Sequence, residues 1–163
     1  MNATEKKAST SRTGSYVITE NRKAYHEYFV LERYEVGLVL QGTEVKALRQ
    51  GKVQMVDAHA QVVREELWLY SLHISPFEKG SYSNHVATRP RKLLMHKSEI
   101  KRLIGKTQEK GLTLVPLKLY FSKGIVKLEL GVCKGKKLYD KRADAADRDA
   151  KREVERAFRR EAS

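Results

Sequence analysis

Val115-Pro116-Leu117-Lys118-Leu119-Tyr120-Phe121-Ser122-Lys123-Gly124-Ile125-Val126-Lys127-Leu128-Glu129-Leu130-Gly131-Val132 decides the fold. Val115, Leu117, Leu119 and Phe121 alternate up to Ser122-Lys123-Gly124, and Val126, Leu128, Leu130 and Val132 alternate back. Alternation with period two turns one row of side chains to a common face. A short loop containing glycine folds the second run antiparallel to the first. This hairpin is the clearest element of the chain, and much of the upstream sequence reads the same way.

Tyr16-Val17-Ile18 offers a first strand. Asn21 suits the cap of a single helical turn through Arg22, Lys23 and Ala24, because its short side chain can accept a free backbone N–H. Residues 25–40 carry a long strand signal. Tyr28, Val30, Tyr34, Val36 and Leu38 share one parity, interrupted by Glu32, while Phe29, Leu31, Arg33, Glu35 and Val39 share the other. Such a strand can curve around a small barrel, one face inward and the other partly wet. Glu35 reads either as an exposed strand residue or as an acceptor for a base edge or ribose hydroxyl. Gly42–Arg49 reads as a short helix, with Thr43 as N-cap, Glu44 at the positive end, Arg49 at the negative end and Gly51 as terminator. Val45 and Leu48 face the body. Lys46 and Arg49, also three apart, share another face and could straddle a phosphate.

Residues 53–63 and 67–74 read as two more strands around Arg64-Glu65-Glu66, a tight-turn length. Residues 67–70 are apolar throughout, as in a strand buried on both faces, and Trp68, the only tryptophan, reads as core packing rather than base stacking. Residues 75–92 form a long loop with Pro76, Gly80, Ser81, Ser83 and Asn84, ending in the basic run Arg89-Pro90-Arg91-Lys92. Loops of this length are often functional. Pro90 stiffens the run, so Arg91 and Lys92 lose less entropy on engaging phosphate. Residues 93–109 read as a helix, with Leu93, Lys97, Ile100, Leu103 and Ile104 at three-to-four spacing and Leu94 and Met95 left as exposed apolar contacts.

After the hairpin the composition changes. Lys134-Gly135-Lys136-Lys137-Leu138-Tyr139-Asp140-Lys141-Arg142 holds five basic side chains, one acid and one tyrosine. It joins a body that can fold to a tail rich in Ala, Arg, Asp and Glu. Beyond alanine, residues 143–163 offer only Val154 and Phe158, an i,i+4 pair that contributes about 0.2–0.5 kcal/mol, too little to hold an isolated helix. The tail is expected to be disordered when free and helical when bound; the alternative is a helix docked permanently on the barrel. Residues 1–15, without aliphatic side chains larger than alanine after Met1, are also expected to be disordered.

The formal charge is +13, divided as +1 in residues 1–20, +8 in 21–133 and +4 in 134–163. Basicity in both body and tail points to a polyanion that both contact. Cys133 is the only cysteine, which excludes an intrachain disulfide and argues for a cytoplasmic setting. No apolar run approaches a membrane span, and the N-terminus has no signal-peptide core. His26, His59, His73, His85 and His96 lie on different elements without metal-ligand spacing. There is no phosphate-cradling glycine loop and no Gly-x-Ser-x-Gly. No metal, cofactor or catalytic residue is expected.

These elements make a mainly β fold: a small antiparallel OB-type β-barrel with short helices over residues 16–133, after a disordered N-terminus (1–15) and before a basic C-terminal tail (134–163). Barrels of this type bind oligonucleotides on a strand face and its flanking loops. The residues alone therefore indicate a basic single-domain RNA-binding barrel with an unfolded basic tail, expected to be a monomer. A generic ribosomal or initiation-factor-like module and an RNA-processing enzyme are the competing readings.

Asn21-Arg22-Lys23-Ala24, His26-Glu27-Tyr28, Gly42-Thr43-Glu44-Val45-Lys46-Ala47-Leu48-Arg49, Arg91-Lys92-Leu93-Leu94 and the Lys134-to-Arg142 stretch occur in that order. Together they closely resemble the SsrA-binding protein family (SmpB), the bacterial partner of transfer-messenger RNA, over roughly residues 15–160. Ala47 stands where the family usually has serine, and Asp57-Ala58-His59 replaces a common Asp-Ser-aromatic. The resemblance implies trans-translation, the rescue of ribosomes stalled on messages without a stop codon. In that family the barrel binds the tRNA-like domain of the RNA and takes the place of its missing anticodon arm. Carried over, the RNA contacts are Asn21, Arg22, Lys23, His26, Glu35, Glu44, Lys46, Arg49, Arg91, Lys92 and Leu94. The resemblance also implies that Lys134, Gly135, Lys136, Lys137, Tyr139, Asp140, Lys141 and Arg142 meet the ribosomal decoding centre, with Tyr139 stacking on a base. Residues 143–160 would become helical in the empty message channel.

Overall fold

The computed structural model describes residues 14–77 and 84–162. Along the chain it has β1 (Tyr16–Glu20), α1 (Arg22–Glu27), β2 (Tyr28–Leu38), α2 (Gly42–Arg49), β3 (Val53–Gln54), β4 (His59–Val63), β5 (Glu66–Tyr70), β6 (His73–Ile74), β7 (Arg91–Leu94), α3 (Lys97–Lys110), β8 (Thr113–Ser122), β9 (Ile125–Gly135) and α4 (Leu138–Glu161). The expectation of disorder for residues 1–15 falls almost wholly outside the described residues, as do Gly80, Ser81 and Ser83 of the long loop.

All pairings between these strands are antiparallel. The ring runs β8–β4–β5–β7–β2–β9 and back to β8, with β1 added beside β8 and β3–β6 as a separate ribbon. Its seam, between β4 and β8, is the single pair Ala60↔Leu114, so the barrel is only partly closed there. Two tight turns set the hairpins. Arg64 and Glu65 have φ of 52° and 65°, and Lys123 and Gly124 have 50° and 78°. Left-handed backbone at both central positions matches the twist of the flanking strands.

Both long strands slip register opposite β9: β2 between Val30 and Glu32, β8 between Pro116 and Lys118. A bulge leaves one residue unpaired and swaps the faces of the strand beyond it. Near the turn, Leu119 and Phe121 pair with Leu128 and Val126 and all four pack inside the barrel. Val115, before the bulge, and Leu117, the bulged residue itself, turn away from that core. With Ala24 and Cys133 they form a second, smaller cluster, against which Tyr28 and Val30 pack. The apolar row that reads as one face of a hairpin therefore serves two cores. Gly131 makes this possible: an added Cβ would stand 2.8 Å from Leu117 Cδ1 and 3.0 Å from Cys133 Sγ.

The second core seats α1. Asn21 caps that helix as expected, its Oδ1 accepting the Ala24 N–H at 3.1 Å. Its Nδ2 also donates to Pro116 O at 2.9 Å, and its backbone N–H to Leu117 O at 2.8 Å, tying the helix start to the β8 bulge. The main core is leucine-rich, with Leu67, Leu69, Leu72, Leu93, Leu103, Leu119, Leu128 and Leu130 fully buried. Each such side chain contributes about 1.5–3 kcal/mol.

Several expectations are corrected. The long strand begins at Tyr28, because α1 continues through Glu27. Residues 53–63 break into two strands. Leu93 and Leu94 belong to a strand: Leu93 pairs with Leu67 and Leu38 and fills the gap between β5 and β2 that the ring requires. β5 is buried on one face only, with Leu67 and Leu69 inward and Trp68 and Tyr70 half-buried on the other, so Trp68 is not a core residue. Apart from these corrections, the tail forms a continuous helix, α4, without a buried residue, the conformation expected of its bound form. Its start is fixed by Asp140, whose carboxylate accepts the Lys137 N–H at 3.2 Å, and by tethers to α1 that no local spacing reveals.

Candidate nucleic-acid interface

Glu44 sits in the first turn of α2, where Oε1 accepts the Gln41 N–H at 2.9 Å, so the helix start is held by Glu44 reaching back to Gln41 rather than by Thr43. The carboxylate is fully buried and forms ion pairs with Arg89 and Arg91. Arg91, fully buried as well, also donates to Leu72 O at 2.6 Å and Ala87 O at 3.0 Å. Arg89 adds bonds to Glu44 Oε1 at 3.0 Å and Val39 O at 3.3 Å. His85 bridges Thr43 Oγ1 at 2.9 Å and Ile74 O at 2.8 Å. Burial alone would raise the Glu44 pKa. Hydrogen bonds from Arg89, the Gln41 amide and Arg91 outweigh it and hold the carboxyl below its ordinary value. Burial lowers the Arg91 pKa, with Glu44 opposing.

The basic run is thus stitched onto α2. Asn21, Glu44 and Arg91, expected to touch RNA, are engaged inside the fold and present almost no side-chain surface to a ligand. Their part is to position the residues beside them.

Those neighbours face outward. On β7, Lys92 lies across from Trp68, and Leu94 lies across from Gly37 and is 52% exposed. A Cβ at Gly37 would stand 3.3 Å from Leu94 Cβ, so the absent side chain gives Leu94 room to lie over β2. Glu35, two residues earlier on that face, accepts a hydrogen bond from the Tyr120 hydroxyl. Burial and then the Glu35 carboxylate push the Tyr120 pKa up, so the hydroxyl keeps its proton. Beside them Arg33 and Lys118 meet Glu129 at 3.2 Å and 3.6 Å. With Tyr16 and Val17 these residues line a groove of about 460 Å³.

A second area lies around α1. Arg22 and Lys23 are exposed, Lys23 lying 3.9 Å from Glu27, and His26 Nδ1 is 3.1 Å from Arg148 Nη2 on α4. Lys136 pairs with Asp144, donates to Tyr25 O at 2.9 Å and stands 5.0 Å over the Phe29 ring. Its backbone N–H donates to Glu27 O at 2.8 Å. The hydrogen bond from Lys136 holds the Asp144 carboxyl low. Lys136 and Asp140 are therefore joints of the tail. Gly135 pairs with Tyr28 at the end of β9. Lys134, Lys137 and Arg142 are exposed, Lys141 is half-buried and Tyr139 is 66% exposed. A third area is the outer face of α2, where Lys46 and Arg49 are exposed and Lys46 stands 5.5 Å over the Phe77 ring.

The expected contacts therefore do not form one patch. α1 precedes β2 and α2 follows it, and Lys92, Leu94 and Glu35 lie on the strand face. Cations suit phosphates, while Leu94 and the Glu35–Tyr120 pair offer an apolar surface and polar groups for bases and ribose. Sequence reasoning gave no site role to Arg33, Lys118 and Tyr120 in the groove, nor to His85 and Arg89 in the clasp. The spacing Gln41-x-x-Glu44 was the one local signal for the latter. Among the described residues no group of His, Cys, Asp and Glu could hold a metal. No described helix is long and apolar enough to cross a membrane. Burial pushes the Cys133 thiol up to about 11.

Comparison with known proteins supplies the family. A family model described as SmpB protein matches residues 18–160. An SsrA-binding protein of Carboxydothermus hydrogenoformans is 62% identical over 143 residues, 88% of this chain and 96% of its own length. One of Desulforudis audaxviator is 58% identical over 149 residues, 91% of this chain and 97% of its own length. A chain in a solved structure described as "tmRNA-SmpB: a journey to the center of the bacterial ribosome" is 54% identical, with a TM-score of 0.62, covering 74% of this chain and 85% of that one. The resemblance first read from five short segments holds across barrel and tail alike, and the chain belongs to the SmpB family.

Proposed function

We propose that this chain binds the tRNA-like domain of transfer-messenger RNA and delivers it to stalled ribosomes in trans-translation. The observation that carries this reading is the family match over residues 18–160, which takes in barrel and tail together. The barrel, residues 16–133, holds the RNA. Arg22, Lys23, Lys46, Arg49 and Lys92 neutralise phosphates, and Glu35 and Leu94 meet ribose and unstacked bases. Residues 134–163 enter the small ribosomal subunit. There Lys134, Lys137, Lys141 and Arg142 meet the decoding centre, Tyr139 stacks on a base and α4 occupies the vacant message channel. An intact message would leave the helix no room, so the tail tests vacancy. In this reading the protein is a cytoplasmic binding protein and performs no catalysis.

The test compares the full chain with a chain ending at Lys137, using a tRNA-like RNA, an unrelated hairpin and a salt series. Both chains should prefer the tRNA-like RNA. The logarithm of affinity should fall with the logarithm of salt at roughly 0.7–0.9 per phosphate neutralised. Only the full chain should support tagging on stalled ribosomes. Loss of the preference for the tRNA-like RNA would favour a generic RNA-binding barrel. Unchanged tagging without the tail would sink the vacancy mechanism.

A further inference from the structure

The aromatic residues of β5 face the wrong way for a core. Trp68 and Tyr70 occupy the outward positions and remain half-buried, while Leu67 and Leu69 fill the barrel. Two residues along a strand stand about 7 Å apart, so each ring can take a planar partner of its own. Tyr70 already stacks on His59 across the β4–β5 pair, with ring centres 5.6 Å apart and planes 21° apart. Val63, Arg64 and Pro90 rim the face, forming with Glu66, Trp68 and Tyr70 an open groove of about 610 Å³. Lys92 lies across from Trp68 and answers the Glu66 carboxylate at 3.5 Å, while Arg64 at the tight turn is exposed.

We propose that this outward face of β4, β5 and β7 is a stacking platform for unpaired bases of single-stranded RNA. It rests on the RNA-binding reading above and extends it, because Lys92 and Leu94 on β7 join the platform to the Glu35 face of β2. Rings left partly open to solvent and flanked by cations grip single strands without reading sequence, since every base has a π-face and every nucleotide a phosphate.

The sole tryptophan makes the face its own reporter. The full chain is titrated with unstructured uridine and adenosine decamers and with an abasic decamer of equal charge, while Trp68 emission and the anisotropy of labelled oligonucleotide are followed. Base-bearing decamers should quench Trp68 strongly and the abasic one weakly, with both effects reduced by salt. Tyr70→Leu, with Trp68 in place and the fold checked by circular dichroism, should weaken decamer binding roughly five- to a hundredfold. Equal quenching by the abasic decamer would mean a phosphate site without stacking and overturn the proposal. Unchanged emission while anisotropy reports binding would overturn it too. So would an emission change with protein concentration alone, which would mark the face as a contact between two copies. If neither the decamers nor a tRNA-like RNA bind by anisotropy, the RNA-binding reading itself falls, and the platform with it.

Discussion

At α2 a carboxylate and a guanidinium meet out of reach of water. Glu44 and Arg91 have no exposed side-chain surface, and Arg91 directs its remaining donors to two backbone carbonyls. At α1 the charges meet near the surface: Lys136 is largely covered, but its partner Asp144 is 35% exposed, and His26 and Arg148 touch in the open. Both groups look alike in the sequence, as charged residues in basic surroundings. Burial separates them. The first cluster fixes α2 and the basic run to the barrel, and the second holds a long helix by its first turns only. A charged residue in this chain is therefore a candidate contact only where solvent reaches it.

The largest effect should come from breaking the buried pair from one side. Glu44→Gln or Arg91→Met leaves an uncompensated group in the interior and should cost about 3–5 kcal/mol in a urea unfolding experiment. The double replacement Glu44→Leu with Arg91→Met should cost less than the summed costs of Glu44→Leu and Arg91→Met made singly. A loss equal to their sum would mean that the two residues do not act as a pair. Next comes the seat of α1. Gly131→Ala forces a Cβ against Leu117 and Cys133 and should cost about 1–3 kcal/mol. Undisturbed stability there would deny that the second core is tightly packed.

A pH series sharpens the contrast further. The folded-state pKa of Glu44 lies below its unfolded value, so folding favours the ionised form. Its contribution is fully present above about pH 4.3, the ordinary glutamate value, and is lost as the pH falls from there through the depressed folded value. Urea midpoints taken between pH 6 and pH 3 should therefore fall more steeply for the natural chain than for Glu44→Gln. The smallest effect is expected at the surface cluster. Asp144→Ala should leave the melting temperature unchanged while amide exchange quickens over residues 138–148. A drop in melting temperature like that of the Glu44 variants would erase the distinction drawn between the two clusters.

What the sequence disclosed follows the range of the interactions. The β8–β9 turn, the Asn21 cap and the bounds of α2 depend on neighbours a few residues apart, and spacing reveals them. The bulges in β2 and β8 do not show, because one unpaired residue leaves an apolar alternation looking intact. The Glu44–Arg91 pair spans 47 residues, and no local pattern records it. Large aromatic side chains are usually well buried, and by that tendency Trp68 reads as a core residue. The alternation of Leu67 and Leu69 around it was the better guide, and it would have set the ring outside. For the site, the exposed lysines and arginines were legible as charge, while their division among α1, α2 and β7 needed the topology.

The second core also has a practical use. Its single thiol is wholly enclosed, and burial keeps it protonated at neutral pH, so it is a poor nucleophile towards alkylating reagents. A cysteine introduced on the outer side of α4, at Ala150 for instance, would then be the one reactive handle on an otherwise natural chain. A dye or spin label attached there could follow the tail from free protein to ribosome without first removing Cys133, whose loss would loosen the packing beneath α1.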